Sequence, residues 1–285
     1  MYRRIYLCGG GMIGICNMGV LQELEQKGYT PFLKEYIGIS SGALQALILA
    51  SGYTIAQGLE ILKMDFQQIT EPDFAPGWLL NMGYDTGNRL LRFVQALLKE
   101  RGLKELTTFR ELFEATCKSF RTFATDINTA TLVEFSKEKT PHYPVAYAAR
   151  ASMSLPYYFQ PFKCPLHGTL YGDGGIITNF PLGYLVEEER QETLAVNIPY
   201  TPDPNPSIEL QDYLMRPLQI FLGARTQMDG LRYPAQTIVV QGIKSNATNF
   251  GMELDEKMDL VAKGRVAAKE FLQKYCRPVR RYSVS

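Results

Sequence analysis

Apolar residues in the first fifty positions fall into alternating blocks of two kinds. Ile5-Tyr6-Leu7-Cys8 is a short unbroken apolar run, the pattern of a buried strand, and it leads into Gly9-Gly10-Gly11-Met12-Ile13-Gly14. Met18, Leu21 and Leu24 then recur at helical spacing, and the pattern stops at Gly28, as a helix does. Tyr36-Ile37-Gly38-Ile39 repeats the strand pattern, and the segment from Ser41 through the apolar run 43–50 repeats the helix. Strand, helix, strand, helix in this order predicts an α/β fold: a mostly parallel central sheet flanked by helices.

Further along, residues 54–120 read as mainly helical, with Leu90, Leu91, Val94, Leu97 and Leu98 on one apolar stripe. Within that stretch Phe74-Ala75-Pro76-Gly77-Trp78-Leu79-Leu80-Asn81-Met82 is a concentrated apolar loop holding the single Trp; a cover over a lipid pocket, a membrane contact and ordinary core packing all suit it. Residues 121–136 have the pattern of a two-stranded hairpin with Asn128 and Thr129 near its turn, and Pro156, Pro161 and Pro165 break the next stretch into loop. Thr201-Pro202-Asp203-Pro204-Asn205-Pro206 is the clearest interruption. A helical stretch at about 208–230, a strand at Thr237-Ile238-Val239-Val240 and an amphipathic helix at about 253–275 follow it. No second core pattern and no repeat is visible. The expectation is one domain over residues 1–285, with a core at about 5–200 and a C-terminal helical extension at about 206–285.

Three short motifs carry chemistry. Gly38-Ile39-Ser40-Ser41-Gly42 places a serine at a strand-to-helix turn, where the flanking glycines Gly38 and Gly42 permit strained geometry and close packing. The helix that follows directs its free N–H groups and positive dipole end at the same place, so Ser40 reads as a nucleophile. Gly9-Gly10-Gly11-Met12-Ile13-Gly14 leaves backbone N–H groups unshielded at a helix start, as an oxyanion hole requires. The same run fits Gly-x-Gly-x-x-Gly of dinucleotide sites, but that reading accounts for neither the serine turn nor the third motif. Leu170-Tyr171-Gly172-Asp173-Gly174-Gly175 sets a carboxylate between glycines at the end of a strand, and Asn179-Phe180-Pro181 follows in a loop. A Ser-His-Asp triad has few candidates, since the chain holds only His142 and His167, both in loop-like surroundings. Neither fits the serine-acid-histidine order of an α/β-hydrolase.

Taken together, these motifs resemble the patatin-like phospholipases, serine acyl hydrolases that use a Ser-Asp dyad. Gly9 to Gly28 resembles the family's glycine-rich oxyanion loop and first helix, Gly38 to Gly42 its nucleophile elbow, and Asp173-Gly174-Gly175 its dyad motif. Phe123-Ala124-Thr125-Asp126-Ile127 and the run from Arg150 to Phe159 also look like family blocks. The resemblance spans about residues 5–200 and implies a three-layer patatin-like fold. Ser40 would be the nucleophile and Asp173 the proton acceptor, with Gly9, Gly10, Gly11 and Met12 as the oxyanion hole. Gly14, Gly174 and Gly175 would be the remaining motif glycines. The implied substrate is a phospholipid or another acyl-ester lipid, met through transient contact with a membrane surface. One position departs from the pattern: many members carry Arg or Lys where this chain has Ile13. That departure keeps open a catalytically weak lipid- or partner-binding protein on the same scaffold, and the acyl-serine intermediate that the resemblance implies also allows an acyltransferase. The motifs specify no protein activator.

Composition narrows the field mainly by exclusion. With 30 Lys and Arg against 29 Asp and Glu the net charge is +1, which argues against nucleic acid as a partner. Cys8, Cys16, Cys117, Cys164 and Cys276 show no metal-like spacing, and the carboxylates show no calcium-loop pattern, so no metal or other cofactor is implied. Reduced thiols, no apolar stretch long enough to span a bilayer and an N-terminus that enters the first strand directly predict a cytoplasmic protein without a signal peptide.

Overall fold

The computed structural model describes residues 2–73, 80–199, 232–244 and 247–276, with single positions between 213 and 228. Most of the apolar Trp78 loop, the proline-rich break at 201–206, most of the expected helix at 208–230 and the basic tail after Cys276 lie outside the described residues.

Among the described residues the strands are β1 (Arg4–Leu7), β2 (Glu35–Ile39), β3 (Gly83–Asp85), β4 (Ser119–Asp126), β5 (Thr131–Ser136), β6 (Tyr157–Phe159), β7 (Phe162–Lys163), β8 (Leu170–Asp173), β9 (Thr193–Asn197) and β10 (Thr237–Val239). The helices are α1 (Cys16–Gln26), α2 (Ser41–Ala50), α3 (Ile55–Lys63), α4 (Asn88–Glu100), α5 (Phe109–Thr116), α6 (Val145–Ser152), α7 (Glu187–Gln191) and α8 (Leu254–Tyr275). The fold is α/β, and the main sheet runs β10-β9-β1-β2-β4-β8-β7, with β5 also paired to β4. Every pairing from β10 to β4 is parallel; β4 with β5, β4 with β8, and β7 with β8 are antiparallel. The expected alternation therefore holds through β1, α1, β2 and α2, and the hairpin expected at 121–136 is β4 with β5.

Strand β4 positions the site because it is long enough to take two partners end to end on one edge. Its first half receives β2, with Ile39 opposite Phe123, and its second half receives β8, with Asp173 opposite Ala124. Since β5 occupies the other edge along residues 121–126, the ends of β2 and β8 meet at successive β4 positions. At the opposite end of the strands an ion network centred on the buried Arg121 and Glu35 holds the register. Arg121 Nε is 2.7 Å from Glu35 and its Nη2 2.8 Å from Glu189, while Arg4 bonds Glu35 at 2.7 Å and Glu192 at 2.9 Å.

Helix α2 is buried along almost its whole length and packs on β1, β2 and β4, as a segment apolar on every side except at Ser41 and Gln45 requires. In α4 the residues Leu90, Val94, Leu97 and Leu98 are buried and Leu91 is half-buried, so the stripe seen in the sequence faces the core. Thr54 and Thr108 begin α3 and α5 through reciprocal bonds with Gln57 and Glu111, two capping boxes. The C-terminal segment is woven into this framework. β10 extends the sheet beside β9, and α8 packs along α1. The buried Lys257 of α8 donates to the carbonyls of Lys63 and Met64 at 3.2 and 2.7 Å, a cation placed at the C-terminal end of α3. The small sheet of β3 with β6, in which Gly83 pairs with Tyr157, has no counterpart in the sequence reading.

Candidate active site

Ser40 occupies the single residue between β2 and α2 and has φ 53° and ψ −130°, a conformation non-glycine residues rarely adopt. The turn is kept tight by the two motif glycines. A Cβ on Gly38 would lie 2.1 Å from the Gly42 carbonyl, and one on Gly42 would lie 2.1 Å from the Leu7 carbonyl. The Ser40 N–H donates to Ser152 Oγ at 3.0 Å, which anchors the turn to the end of α6.

Asp173 is the last residue of β8 and is almost fully buried. Its N–H donates to the Ser154 carbonyl at 2.9 Å and its own carbonyl accepts from Thr125 Oγ1 at 2.9 Å, so the backbone is held on both sides. Its Oδ1 accepts the Gly175 N–H at 2.7 Å, whereas Oδ2 is buried and makes no hydrogen bond. Burial pushes the carboxyl pKa up to about 7; the Ser40 hydroxyl, the Gly175 N–H and the Arg150 guanidinium each act against that rise. The Ser40 hydroxyl therefore favours the ionised carboxylate, and both residues line the same cavity.

The glycine run lies against this pair. A Cβ on Gly9 would sit 2.7 Å from Ser40 Cβ and 2.5 Å from Asn179 Oδ1, so only glycine fits between them. Gly10 and Gly11 have φ values of 155° and 54°. The Met12 N–H donates to the Ala247 carbonyl at 2.8 Å and the Ile13 N–H to the Gly10 carbonyl at 3.2 Å, so the Met12 amide already has an acceptor. The Gly14 carbonyl accepts from Gln45 Nε2 at 3.0 Å, and Gly174 packs beneath, its Cβ position 2.4 Å from the Phe123 carbonyl.

Ser40, Asp173, Gly9, Gly10, Gly11 and Met12 all line one cavity that opens to solvent. Its remaining wall is largely apolar, built from Leu44, Leu62, Phe66, Ile69, Leu90, Met153, Leu155, Phe159 and Phe250. That is the lining an acyl chain requires. Ile13 lines it too, at the position where the resemblance raised the question of a cation. His142 and His167 are both exposed and outside the cavity, and His167 bonds Thr169 at 2.8 Å. Asp126 Oδ1 accepts the N–H groups of Asn128 and Thr129, the structural role a hairpin turn gives it. No group of three or more metal-ligating side chains occurs among the described residues, and no helix among them is long and apolar enough to cross a membrane.

Sequence reasoning had not singled out two contributors. Asn179 stands on the cavity wall and donates through Nδ2 to the Gly9 carbonyl at 3.4 Å. Arg150 is a buried guanidinium that donates to the carbonyls of Thr86, Gly87 and Gln160 and, at 2.7 Å, to Ser154 Oγ. Burial lowers its pKa to about 10, opposed by Asp85 and Asp173. Its position in the run from Arg150 to Phe159 was visible, but nothing in the sequence told a buried arginine from a surface one.

An α/β sheet with a strained serine at a strand-to-helix turn, a buried carboxylate beside it and an apolar cavity in front defines a site suited to lipid esters. Comparison with known proteins agrees. A family model described as patatin-like phospholipase matches residues 5–186, and the chain belongs to that family, whose members are lipid hydrolases. The chain is similar to the uncharacterized protein YqhO of Bacillus subtilis, at 25% identity over 96% of this chain and 99% of that one. It is also similar to a probable lipid hydrolase, 463L, of Invertebrate iridescent virus 6, at 28% identity over 67% of this chain and 66% of that one. Among solved structures, VipD from Legionella pneumophila has the same fold, with a TM-score of 0.62 at 16% identity over 96% of this chain and 67% of VipD. ExoU of Pseudomonas aeruginosa, solved in complex with SpcU, gives 0.57 at 19% identity over 97% of this chain and 53% of ExoU.

Proposed function

We propose that this protein is a lipid acyl hydrolase of phospholipase A or lysophospholipase type, working through an acyl-serine intermediate on a Ser40-Asp173 dyad. The observation that carries the reading is the Asp173 carboxylate. It is buried at the cavity wall next to Ser40, its Oδ2 has no hydrogen-bond partner, and burial raises its basicity. In the first half-reaction the Ser40 hydroxyl attacks the ester carbonyl and passes its proton to Asp173, whose pKa of about 7 suits a base acting at neutral pH. The N–H groups of Gly9, Gly10 and Gly11 and the amino end of α2 would hold the oxyanion, at about 3 kcal/mol for each well-placed donor. Met12 would contribute its amide only if the bond to Ala247 opened. Asp173 returns the proton to the departing alcohol. It then draws a proton from water as that water attacks the acyl-serine, and hands it to Ser40 Oγ as the C–Oγ bond breaks, which releases the fatty acid and restores both Ser40 and the Asp173 carboxylate.

The apolar wall supports an acyl chain as the bound group. Leu80, Met82 and Tyr157 are exposed near the pairing of β3 with β6, and Phe159 of β6 lines the cavity, which supports transient contact with a membrane surface on that side. We read the chain as a single domain; the pairing of β10 with β9 and the packing of α8 on α1 support that.

The test is a panel of phosphatidylcholine, lysophosphatidylcholine and monoacylglycerol assayed with the wild type, Ser40→Ala and Asp173→Asn, together with fluorophosphonate labelling. Release of fatty acid by the wild type, its loss in both variants and labelling that needs Ser40 are expected. Equal release by wild type and Ser40→Ala would end the proposal. Acyl ester formed on an added alcohol in place of free acid would make the chain a transferase.

A further inference from the structure

Three successive peptide units of the glycine loop are tied in the same way. The carbonyl of Cys8 accepts from Asn17 Nδ2 at 3.2 Å, that of Gly9 from Asn179 Nδ2 at 3.4 Å, and that of Gly10 from the Ile13 N–H at 3.2 Å. The N–H groups at the other ends of these units belong to Gly9, Gly10 and Gly11. None of them donates to an acceptor among the described residues. No peptide bond among those residues is cis, so the C=O and N–H of one unit point in opposite directions. A tie on the carbonyl therefore fixes where the N–H is aimed.

Two of the three ties come from asparagine side chains. Asn17, in the first turn of α1, is fully buried and does not line the cavity. Its Oδ1 has no partner, so an apolar residue would be the cheaper occupant and the bond to Cys8 is what the amide supplies. Asn179 is itself held from β1, where the Tyr6 hydroxyl donates to its main-chain carbonyl at 2.5 Å. Its Oδ1 lies 2.5 Å from the Cβ position of Gly9 and 3.5 Å from that of Gly175. Donors already aimed need no rearrangement as charge develops on a substrate oxygen, whereas a unit free to rotate would turn its carbonyl oxygen toward that charge.

We propose that Asn17 and Asn179 are positioning residues for ester cleavage, aiming the N–H groups of Gly9 and Gly10 through the carbonyls of the same peptide units. The assignment rests on the acyl-hydrolase reading. Its test uses the full chain carrying Asn17→Leu or Asn179→Leu, which keep the approximate shape of the side chain and remove the donor. Asn17→Ala serves as a second variant if the larger side chain prevents folding. Each is expected to lower kcat toward a p-nitrophenyl ester by about tenfold to a hundredfold with KM little changed, less than outright loss of a donor. A long-chain alkyl trifluoromethyl ketone separates positioning from general loosening. Ser40 Oγ adds to its carbonyl carbon, the hydroxyl proton passes to Asp173, and the carbonyl electron pair leaves an oxyanion in the hole. Its affinity should fall by the same factor as kcat, while the matching methyl ketone, bound without addition, should bind as it does to the wild type. Unchanged kcat in both folded variants, or equal weakening of both ketones, overturns the proposal. So does a loss in Asn179→Leu alone: Asn17 acts only through the peptide, and Asn179 would then be donating to the oxyanion itself. Cleavage by the wild type with unaffected variants defeats this inference alone. A wild type that cleaves no ester defeats the hydrolase reading and this inference with it.

Discussion

The backbone N–H of Ser40 donates to the side-chain oxygen of Ser152, 3.0 Å away, although 112 residues separate them. Ser40 holds an unfavourable φ of 53°, and this bond from the end of α6 helps hold it there. Replacing Ser152 by Ala leaves the Ser40 N–H unpaired. The expected result is a loss of about 1–2 kcal/mol in urea unfolding and a fall in kcat of about tenfold or more with KM little changed. An unchanged kcat would show that the turn holds its geometry alone.

Asp173 predicts the pH dependence. As a base it must be ionised, so kcat/KM should rise with pH through about 7 and level off above it. Arg150 favours the ionised form, and Arg150→Met should move the midpoint upward while lowering stability, because the carbonyls of Thr86, Gly87 and Gln160 lose their donor. A midpoint that stays put in the folded variant would remove Arg150 from the electrostatics of the dyad.

The same shift has a consequence for stability. The folded pKa, about 7, exceeds the ordinary unfolded value of about 3.9. The contribution from this group is therefore fully present below pH 4 and is lost as pH rises through 7. Asp173→Asn, which keeps an oxygen for the Gly175 N–H, should be more stable than the wild type at pH 8 by no more than about 4 kcal/mol, with the difference closing toward pH 4. Thermal melts at the two pH values check the sign.

The glycine loop is tied to the distant Ala247 through the Met12 amide, and a Cβ on Gly11 would come 2.1 Å from that carbonyl at a φ of 54°. Gly11→Ala should displace the loop from Ser40 and reduce kcat by roughly a hundredfold, in the range of a lost oxyanion donor. The rate of fluorophosphonate labelling, which also passes through an oxyanion-like state, should fall with it.

Much of this was legible in the chain because it is local. Predominantly apolar runs mark β1, β2 and α2, since a strand covered on both faces and a fully buried helix have no polar side to show. The glycines around Ser40 mark a turn that tolerates almost nothing larger at either flank. Other features were not legible. Nothing near Ala247 announces that it holds the Met12 amide, and nothing in Arg150 announces a buried cation, because each partner lies far away in sequence. Thr237–Val239 was readable as a strand, but its place beside β9 was not.

The amino-acid sequence alone determined the alternating order of the elements and the three glycine-bracketed motifs, since backbone conformation and side-chain periodicity are properties of short segments. Only the tertiary structure decided that the serine and the carboxylate motifs meet. That depends on β4 taking the ends of β2 and β8 at Phe123 and Ala124, a pairing of hydrogen-bond register between strands more than 130 residues apart that no single segment contains.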